Sequence, residues 1–178
     1  MPRNLILVSG CPGVGKTTLA RPLAKALAVP LIAKDDIKET LFDKLNGTPG
    51  DEGFSRQIGG AAMEVMWTLA GRCPDVMLEA NFRPDSAYER GRILAMDANV
   101  IEVHCRCDRE TIAQRFRDRA AAGERHRAHT ISELTMDYVA QFERPIGIGR
   151  VVVVETLGPL DVASIAKEID RNFLRNPT

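Results

Sequence analysis

Five short runs of branched apolar residues are spaced along the chain, at residues 5–9, 30–33, 76–79, 100–105 and 151–155. Within these runs the apolar positions are mostly continuous and do not alternate strictly with polar ones. Continuous apolar runs are typical of strands in a parallel sheet that helices cover on both faces. The pattern therefore predicts a sheet of five parallel strands.

Helical patterns occupy the segments between these runs. The first predicted helix follows a glycine-rich turn, and a second begins at residue 37. Further helices are predicted at residues 54–72, 84–96, 109–122, 130–142 and 161–173. Because strands that alternate with helices form βαβ units, we expect an α/β fold of three layers, helices on either side of the sheet. The length suits a single domain over residues 1–178.

Local signals predict where three of these helices begin or break. The adjacent residues Gly59 and Gly60 are expected to interrupt the helix at 54–72. Pro84 is expected to open the helix at 84–96, because proline is favoured at the first helical position. The spacing from Thr130 to Glu133 is that of a capping box, which predicts the start of the helix at 130–142.

Composition and charge limit the classes of function. The 24 basic and 24 acidic residues give a formal net charge of zero, so no overall field attracts nucleic acid or a membrane. No apolar run approaches the ~18 residues of a membrane-spanning helix, and we expect neither a membrane span nor a secretory signal. The cysteines lie in or beside predicted strands and the glycine-rich turn, which favours reduced thiols in a cytoplasmic protein. They are Cys11, Cys73, Cys105 and Cys107.

The most specific chemical motif follows the first predicted strand. The spacing Gly10-x-x-x-x-Gly15-Lys16-Thr17 matches the phosphate-binding P-loop, and it has the required strand before it and helix after it. Small residues let backbone N–H groups surround phosphate oxygens, and the helix N-terminus adds its positive end. Lys16 is expected to reach the outer phosphates of ATP, and the Thr17 hydroxyl to ligate Mg²⁺. The predicted nucleotide-binding residues are Gly10, Cys11, Pro12, Gly13, Val14, Gly15, Lys16, Thr17 and Thr18.

Polar residues also follow the second predicted strand, where the sequence KDDIKE contains Asp35, Asp36 and Lys38. Ligands of an open parallel sheet collect beyond the carboxyl ends of its strands, so these residues are candidates for a site. A carboxylate there can accept a proton from an attacking hydroxyl or orient it, as phosphoryl transfer requires. We assign this role to Asp35, and to Asp36 the role of capping the helix that begins at Ile37. The alternative is that an aspartate serves only as a cap.

The third predicted strand leads into LEANFRP, which brings Glu79, Asn81 and Arg83 to the same edge. Glu79 is a candidate for ordering Mg²⁺ through a water molecule. Glu79 and Asn81 are also candidates for holding a phosphate acceptor, and Arg83 can reach the same edge. The alternative for Asn81, which it shares with Asp85, is a cap on the following helix.

An arginine-rich stretch follows the fourth predicted strand. From Arg109 to Arg127 the chain has six arginines, three acidic residues and no lysine. Arg115 and Arg119 lie one turn apart on one helical face, and arginine grips phosphate oxygens through a planar fork of donors. The stretch predicts a helical lid, at about residues 109–129, that closes over the transferring phosphate and stabilises its charge. The alternative is a solvated arginine-rich face paired with nearby acidic residues.

Histidines and cysteines of this region offer a competing interpretation. Cys105, Cys107, His126 and His129 would be enough for a tetrahedral zinc site. A Cys-x-Cys pair at the end of a core strand is more simply a small buried pair. The two histidines are better suited to contact phosphate or substrate within the lid.

Taken together, these blocks resemble the small P-loop kinases of the AAA_33, zeta-toxin and polynucleotide-kinase-like group, related in fold to adenylate, shikimate and gluconate kinases. The resemblance rests on VSGCPGVGKTTLA, PLIAKDDIKE, VMLEANFRP, CRCDRETIAQRFRDR and GERHRAH. It implies a P-loop NTPase fold like that of nucleoside-monophosphate kinases, with Lys16 and Thr17 on phosphate and magnesium. By position, Asp35 corresponds to the carboxylate that activates the acceptor, Lys38 to a basic residue near the acceptor, and Arg119 to the lid arginine.

The predicted function is therefore transfer of the γ-phosphoryl group of ATP, with Mg²⁺, to a hydroxyl of a small molecule. The residues expected to carry the chemistry are Lys16, Asp35, Arg115 and Arg119. Those expected to contact the acceptor are Asp35, Lys38, Glu79, Asn81 and Arg83.

Two alternatives stay open. Within the same enzyme class, the acceptor is the 5′-hydroxyl of a polynucleotide or nucleoside; zero net charge and scarce aromatic residues make nucleic acid less favoured. From another class, the chain is a nucleotide-binding switch or partner-binding module without kinase activity. A kinase is expected to have an acceptor pocket opposite the phosphate loop, lined by Asp35, Lys38 and Asn81, whereas a switch is expected to have a closed surface there.

Overall fold

Residues 3–131 and 133–169, which the computed structural model describes, form five strands and seven helices. The strands are β1 (Asn4–Ser9), β2 (Leu31–Ala33), β3 (Asp75–Glu79), β4 (Asn99–Arg106) and β5 (Arg150–Glu155). They form one sheet in the order β2-β3-β1-β4-β5, and every pairing is parallel. The predicted five-stranded parallel sheet is confirmed.

The helices are α1 (Lys16–Leu27), α2 (Lys34–Lys44), α3 (Glu52–Ala70), α4 (Ala87–Leu94), α5 (Arg109–Ala121), α6 (Met136–Ala140) and α7 (Val162–Ile169). The last helix confirms the prediction at 161–173 over residues 162–169; Asp161 lies directly before it, and residues 170–173 lie outside the described residues. None of the helices in the described ranges has the length and apolar composition that a bilayer span requires.

The central strand β1 shows why helices cover both faces of the sheet. Leu5 and Leu7 belong to one core cluster, which α3 completes with Trp67. Ile6 belongs to the cluster on the opposite face, where it is joined by Leu19 of α1. All five side chains are almost fully buried. Because both faces of β1 are buried, its sequence is apolar without alternation, and the three-layer α/β fold is confirmed.

Helix α3 is as long as predicted, but it begins two residues earlier and is unbroken. It starts at Glu52, where the Asp51 side chain accepts a hydrogen bond from the N–H of Phe54. It continues through Gly59 and Gly60, so the predicted break is wrong. Each glycine costs about 1 kcal/mol relative to alanine in a helix interior, and burial of the apolar face of α3 offsets this cost.

Helix α2 begins three residues earlier than predicted. Its first residue is Lys34 instead of Ile37, and no side chain caps it. Asp36 therefore lies inside the first turn, where it pairs with Arg21 at 3.3 Å. The predicted capping role of Asp36 is wrong, although a carboxylate in the first turn still interacts favourably with the helix dipole.

Helix α4 has a cap that the sequence offered but the prediction overlooked. The Ser86 hydroxyl accepts the N–H of Glu89 at 3.2 Å. The predicted start at Pro84 is therefore wrong, because the helix begins at Ala87, and Ser86 has the capping role that was considered for Asn81 and Asp85.

Helix α6 is also shorter than its prediction. The Thr135 hydroxyl accepts the N–H of Tyr138 at 3.2 Å, and the helix has five residues. The predicted capping box from Thr130 to Glu133 is therefore wrong. Both threonines are good cap residues, and the helix starts where it can bury Val139 in the core.

Gly149, directly before β5, is required by its backbone geometry. Its φ is +76°, and a Cβ there would lie 2.1 Å from the carbonyl oxygen of Val100. We expect Gly149→Ala to lower the free energy of unfolding by on the order of 3 kcal/mol, because left-handed strain and a clash with β4 add together. Urea unfolding followed by circular dichroism measures this change.

Gly147→Ala is the matched control. Gly147 has φ +70°, and a Cβ there would have no heavy atom of the described residues within 4 Å. This variant carries the left-handed penalty alone, about 1 kcal/mol. Equal losses in the two variants would contradict the clash with Val100.

Candidate active site

The phosphate loop joins β1 to α1, and its shape depends on the glycine at its first position. Gly10 has φ +130°, and a Cβ there would lie 2.5 Å from the carbonyl oxygen of Cys105 in β4. Only glycine allows this close approach, so the loop turns directly at the end of the central strand. The N-terminus of α1 at Lys16 completes the loop, and helix N-termini attract anions through their free N–H groups.

Lys16 lies buried inside this loop. Its Nζ donates a hydrogen bond to the carbonyl oxygen of Cys11 at 2.9 Å. Burial lowers the pKa of Lys16, while Glu79 and Asp35 favour its charged form. The lysine is thus a buried cation at a helix N-terminus, which is the arrangement that a polyphosphate group requires.

Thr17 and Glu79 lie together beside the loop. The Thr17 hydroxyl donates to both carboxylate oxygens of Glu79, at 3.1 and 3.2 Å. They meet because β1 and β3 are parallel neighbours in which Val8 is paired with Glu79. Burial raises the pKa of Glu79, and the charge of Lys16 opposes this rise. A hydroxyl and a carboxylate are the hard oxygen ligands that Mg²⁺ prefers, so these residues fit the predicted magnesium site.

On the opposite side, Asp35 lies in the first turn of α2. It forms an ion pair with the neighbouring Lys34, with 2.9 Å between Nζ and Oδ1. Burial alone would raise the pKa of Asp35, but Lys34, His129 and Lys16 outweigh it and leave the pKa lowered. The carboxylate is therefore ionised at neutral pH and able to accept a hydrogen bond from a hydroxyl.

Lys38 lies one turn beyond Asp35 and is buried. Its Nζ donates to the hydroxyl of Ser55 in α3 at 2.8 Å, and this hydroxyl donates to the carbonyl oxygen of Ala128 at 2.7 Å. Burial lowers the pKa of Lys38 to about 8, and the positive charge of the nearby Lys34 acts in the same direction. Lys38 thereby connects α2, α3 and the distal end of the predicted lid.

Residues 126–129, here called the clasp, pack directly on α2 and α3. Ala128 is fully buried with Phe42 and Ile58 in a small apolar cluster. Asp43 of α2 accepts hydrogen bonds from Arg127 at 3.0 Å and from His126 at 3.3 Å. The clasp is therefore a wall on the α2 side of the site.

A further contact of the clasp joins His129 to Glu39. The distance between Nε2 and Oε1 is 2.9 Å. Burial lowers the pKa of His129, whereas the charges of Asp35 and Glu39 raise it. His129, Asp35 and Lys38 are thus electrostatic neighbours.

Asn81 and Arg83 both line the same cleft, below the end of β3. The Arg83 guanidinium lies 5.7 Å from the ring centroid of Phe142, and the backbone N–H of Arg83 donates to Glu89 at 2.6 Å. Both predicted residues are therefore at the predicted edge, with the backbone of Arg83 fixed by Glu89.

Arg115 of α5 lies against the phosphate loop. Its guanidinium donates to the carbonyl oxygens of Thr156 at 2.7 Å and Val14 at 3.3 Å. The Thr156 hydroxyl donates to the same Val14 oxygen at 2.5 Å. Arg115 and Thr156 thus connect the loop, the lid helix and the segment after β5.

Arg119, one turn later on α5, has a different environment. Within the described ranges its side chain makes no hydrogen bond or ion pair, and it lines the cleft. Of the acidic residues nearby, Asp118 accepts from Gln114 at 2.6 Å instead. The pairing expected for a solvated arginine face is therefore not formed by Arg119.

The zinc interpretation finds no support in the described residues, since no three histidine, cysteine or acidic side chains among them could hold a metal ion. Burial raises the pKa of Cys105 to about 12, although zinc is bound by thiolates. His104, next to it, instead contacts the Ser9 hydroxyl at 2.9 Å.

The phosphate loop, α2, α3, α5 and the clasp line one continuous cleft of about 2180 Å³. Sites for a single small ligand usually measure about 300–1,000 Å³, so this cleft has room for two ligands. Its lining includes, from the predicted residues, Lys16, Thr17, Asp35, Lys38, Glu79, Asn81, Arg83, Arg115 and Arg119. The surface that Asp35, Lys38 and Asn81 line beside the phosphate loop is therefore an open cleft, and not the closed surface expected of a switch.

Glu39, Asp43 and Ser55 belong to this site and were missed from the sequence. For two of them a signal existed, because Asp35, Glu39 and Asp43 follow one another at intervals of four residues. That spacing places three carboxylates on one face of α2. Nothing local marks Ser55, whose partners lie on two other elements.

Comparison with known proteins identifies the family. The model of the AAA_33 family, described as an AAA domain, matches residues 5–145. The chain belongs to this family. Uncharacterized proteins of Mycobacterium bovis and Mycobacterium tuberculosis are each 31% identical to it over 128 residues. These matches cover 66% of the chain and only 26% of each relative, so the chain spans about a quarter of their length.

Solved structures of similar fold support the same architecture. A protein of Chloroflexus aurantiacus, provisionally named a kinase, has a TM-score of 0.86 and 27% identity, over 97% of this chain and 100% of that one. APS kinase of Mycobacterium tuberculosis, in complex with AMPPNP and APS, has a TM-score of 0.60 and 19% identity, over 96% and 98%. Shikimate kinase of Acinetobacter baumannii, in complex with shikimate, has a TM-score of 0.54 and 17% identity, over 98% and 94%. The P-loop kinase fold is therefore confirmed.

Proposed function

We propose that this AAA_33 protein is an ATP- and Mg²⁺-dependent phosphotransferase that moves the γ-phosphoryl group to a hydroxyl of a small molecule. The observation that carries the proposal is the shared cleft, which Asp35 and Lys38 line together with the phosphate loop and Lys16. Phosphoryl transfer depends mainly on positioning and on charge stabilisation, and this cleft has groups for both.

Each residue has a defined task in this proposal. The backbone N–H groups of the loop and the Lys16 ammonium hold the phosphates, and Thr17 and Glu79 would hold Mg²⁺. When bound, Mg²⁺ would neutralise charge on the phosphates. Asp35 orients the acceptor hydroxyl, and Arg115 and Arg119 stabilise the charge of the transferring group.

The acceptor is proposed to lie between α2, α3 and the clasp. Lys38, Asn81 and Arg83 line this part of the cleft and would contact it. Small-molecule acceptors are supported by the neighbours of similar fold, which include kinases named for shikimate and gluconate. The zero net charge and the scarcity of aromatic residues argue against a nucleic-acid acceptor.

The test is transfer of label from γ-labelled ATP to a panel of acceptors. The panel contains sugars, hydroxy acids, nucleosides, aminoglycoside-type and phenicol-type alcohols, and a 5′-hydroxyl oligonucleotide. Each reaction is run with Mg²⁺ and with excess EDTA, and ATP binding is measured in parallel by calorimetry.

The outcomes separate the candidate functions. A labelled small molecule that forms only with Mg²⁺ is the expected result. A labelled oligonucleotide alone would replace the small-molecule acceptor with a 5′-hydroxyl kinase. ATP binding without transfer to any acceptor would favour a nucleotide-binding switch.

A further inference from the structure

We propose that His129, oriented by Glu39, accepts the proton of the acceptor hydroxyl while Asp35 orients that hydroxyl, an inference that rests on the proposed function. The clasp places this imidazole in the same cleft as Asp35 and Lys38. The sequence prediction gave His129 only a general contact role in the lid.

The hydrogen bond to Glu39 determines which ring nitrogen is free. The carboxylate of Glu39 can only accept, so Nε2 of His129, 2.9 Å from it, carries the hydrogen. Nδ1 then holds the lone pair. In the described part of the chain Nδ1 has no hydrogen-bond partner, and it is accessible to solvent. The arrangement is a carboxylate–imidazole pair with a free basic nitrogen.

The clasp holds this imidazole in place. The backbone N–H of His129 donates to the carbonyl oxygen of His126 at 3.1 Å. The preceding residue, Ala128, is fully buried, and its carbonyl oxygen accepts from Ser55. A side chain fixed at its backbone and at one ring nitrogen is suited to proton transfer, which requires a defined donor–acceptor geometry.

Because Asp35 forms an ion pair, orienting the hydroxyl and accepting its proton are assigned to two different residues. Lys34 lies 2.9 Å from Asp35 and stabilises its ionised form, which makes this carboxylate a weak base. The charged groups that face His129 are Asp35, Glu39 and Lys38 of α2. Two carboxylates against one ammonium stabilise the imidazolium that proton transfer would create.

The proposed transfer forms one phosphorus–oxygen bond and breaks another. The acceptor oxygen forms a bond to the γ-phosphorus of ATP, the phosphoryl donor. The bond from that phosphorus to the β,γ-bridging oxygen breaks, and its electron pair leaves with ADP. The proton of the hydroxyl moves to Nδ1 of His129, and the resulting imidazolium later releases it to water.

The activity test compares His129→Gln with the wild type, using the acceptor found with the panel. Glutamine keeps an N–H donor for Glu39 but has no basic nitrogen. In the wild type, kcat/KM is expected to fall as the pH is lowered, because His129 gains a proton at a pH below the usual histidine pKa of about 6.5. This fall is the acid limb of the pH profile. His129→Gln is expected to lower kcat by about 10²-fold and to lose this acid limb. Calorimetry is expected to give unchanged ATP binding.

His126→Gln is the matched comparison for a merely structural role. It alters the contacts of His126 with Asp43, with the backbone N–H of Ala128 and with the Phe42 ring, and it leaves the His129 imidazole in place. This variant is expected to keep the acid limb whatever rate it loses. Full-rate transfer by His129→Gln with the acid limb still present would overturn the proposal and leave the proposed function intact.

A second measurement needs no acceptor. The chain has three histidines, so nitrogen-15 NMR of the full chain with labelled histidine can follow each ring through a pH titration. We expect His129 to be neutral at pH 7 with its hydrogen on Nε2, and Asp35→Asn to lower its pKa further. A hydrogen on Nδ1, or an imidazolium at pH 7, would overturn the proposal. If no acceptor is labelled, the proposed function fails by itself and this titration still decides the state of His129.

Discussion

Replacing Lys16 with methionine is expected to lower kcat/KM for phosphoryl transfer by on the order of 10³-fold. The variant removes the cation that lies buried at the N-terminus of α1, and methionine keeps the apolar stem of the side chain. Negative charge on the transferring group then loses its closest fixed counter-charge in a site largely shielded from water. Rates from γ-labelled ATP and nucleotide affinity from calorimetry measure the two parts of this loss.

The stability of this variant distinguishes a functional lysine from a structural one. Burial lowers the pKa of Lys16, so the charged ammonium group reduces the stability of the folded state. We therefore expect Lys16→Met to unfold at the same temperature as the wild type or higher. Lys44→Met, at the exposed end of α2 and outside the cleft, is the control and is expected to leave the rate unchanged. A lower unfolding temperature with full activity would contradict the assignment.

The parts of the site that could be predicted are those that short sequence segments determine. The phosphate loop follows from a fixed spacing between Gly10 and Thr17, with a buried strand before it. The meeting of Thr17 with Glu79 follows from topology, because parallel neighbouring strands end at the same edge of a sheet. Both inferences needed no knowledge of distant contacts.

The clasp could not be predicted in the same way. Its contacts join residues far apart in the chain, such as Ser55 with Ala128 and Glu39 with His129. Composition alone suggested a lid of uniform character over 109–129. In the described residues the Arg119 side chain makes no hydrogen bond or ion pair, whereas Ala128 is fully buried. Tertiary packing of one small residue on α2 and α3 makes this difference, and no local pattern marks it.

Errors in helix starts have a related cause. Thr130 and Thr135 are equivalent as caps by residue type, and Asn81, Asp85 and Ser86 compete in the same way. The choice among them depends on which start lets the helix bury its apolar residues. These errors do not move the predicted site residues, because those lie in the phosphate loop, on α1, α2 and α5, and at or just after the end of β3.

Replacing Asp35 with alanine is expected to lower kcat by on the order of 10³-fold while ATP binding is spared. The variant removes the carboxylate that would orient the acceptor hydroxyl, and positioning is the main contribution that a protein makes to phosphoryl transfer. The loss is expected in kcat because the proposed ATP site is the phosphate loop, on the other side of the cleft. Single-turnover rates with labelled ATP, together with calorimetry for ATP, separate the two effects.

Asp36→Ala is a closely matched control, since Asp36 is adjacent to Asp35 in sequence and lies in the same first turn of α2. Its carboxylate is largely exposed and pairs with Arg21, and exposed ion pairs of this kind contribute little. We expect this variant to transfer phosphate within about twofold of the wild type. The reverse result, with Asp35→Ala active and Asp36→Ala inactive, would move the orienting role to Asp36. Loss of activity in both variants, with normal circular dichroism, would mean that the charge of the first turn of α2 matters more than either carboxylate. The negative charge of that turn would then orient the acceptor. Asp35→Asn keeps the shape of the side chain without its charge, so this variant would distinguish an electrostatic effect from a direct contact with the acceptor.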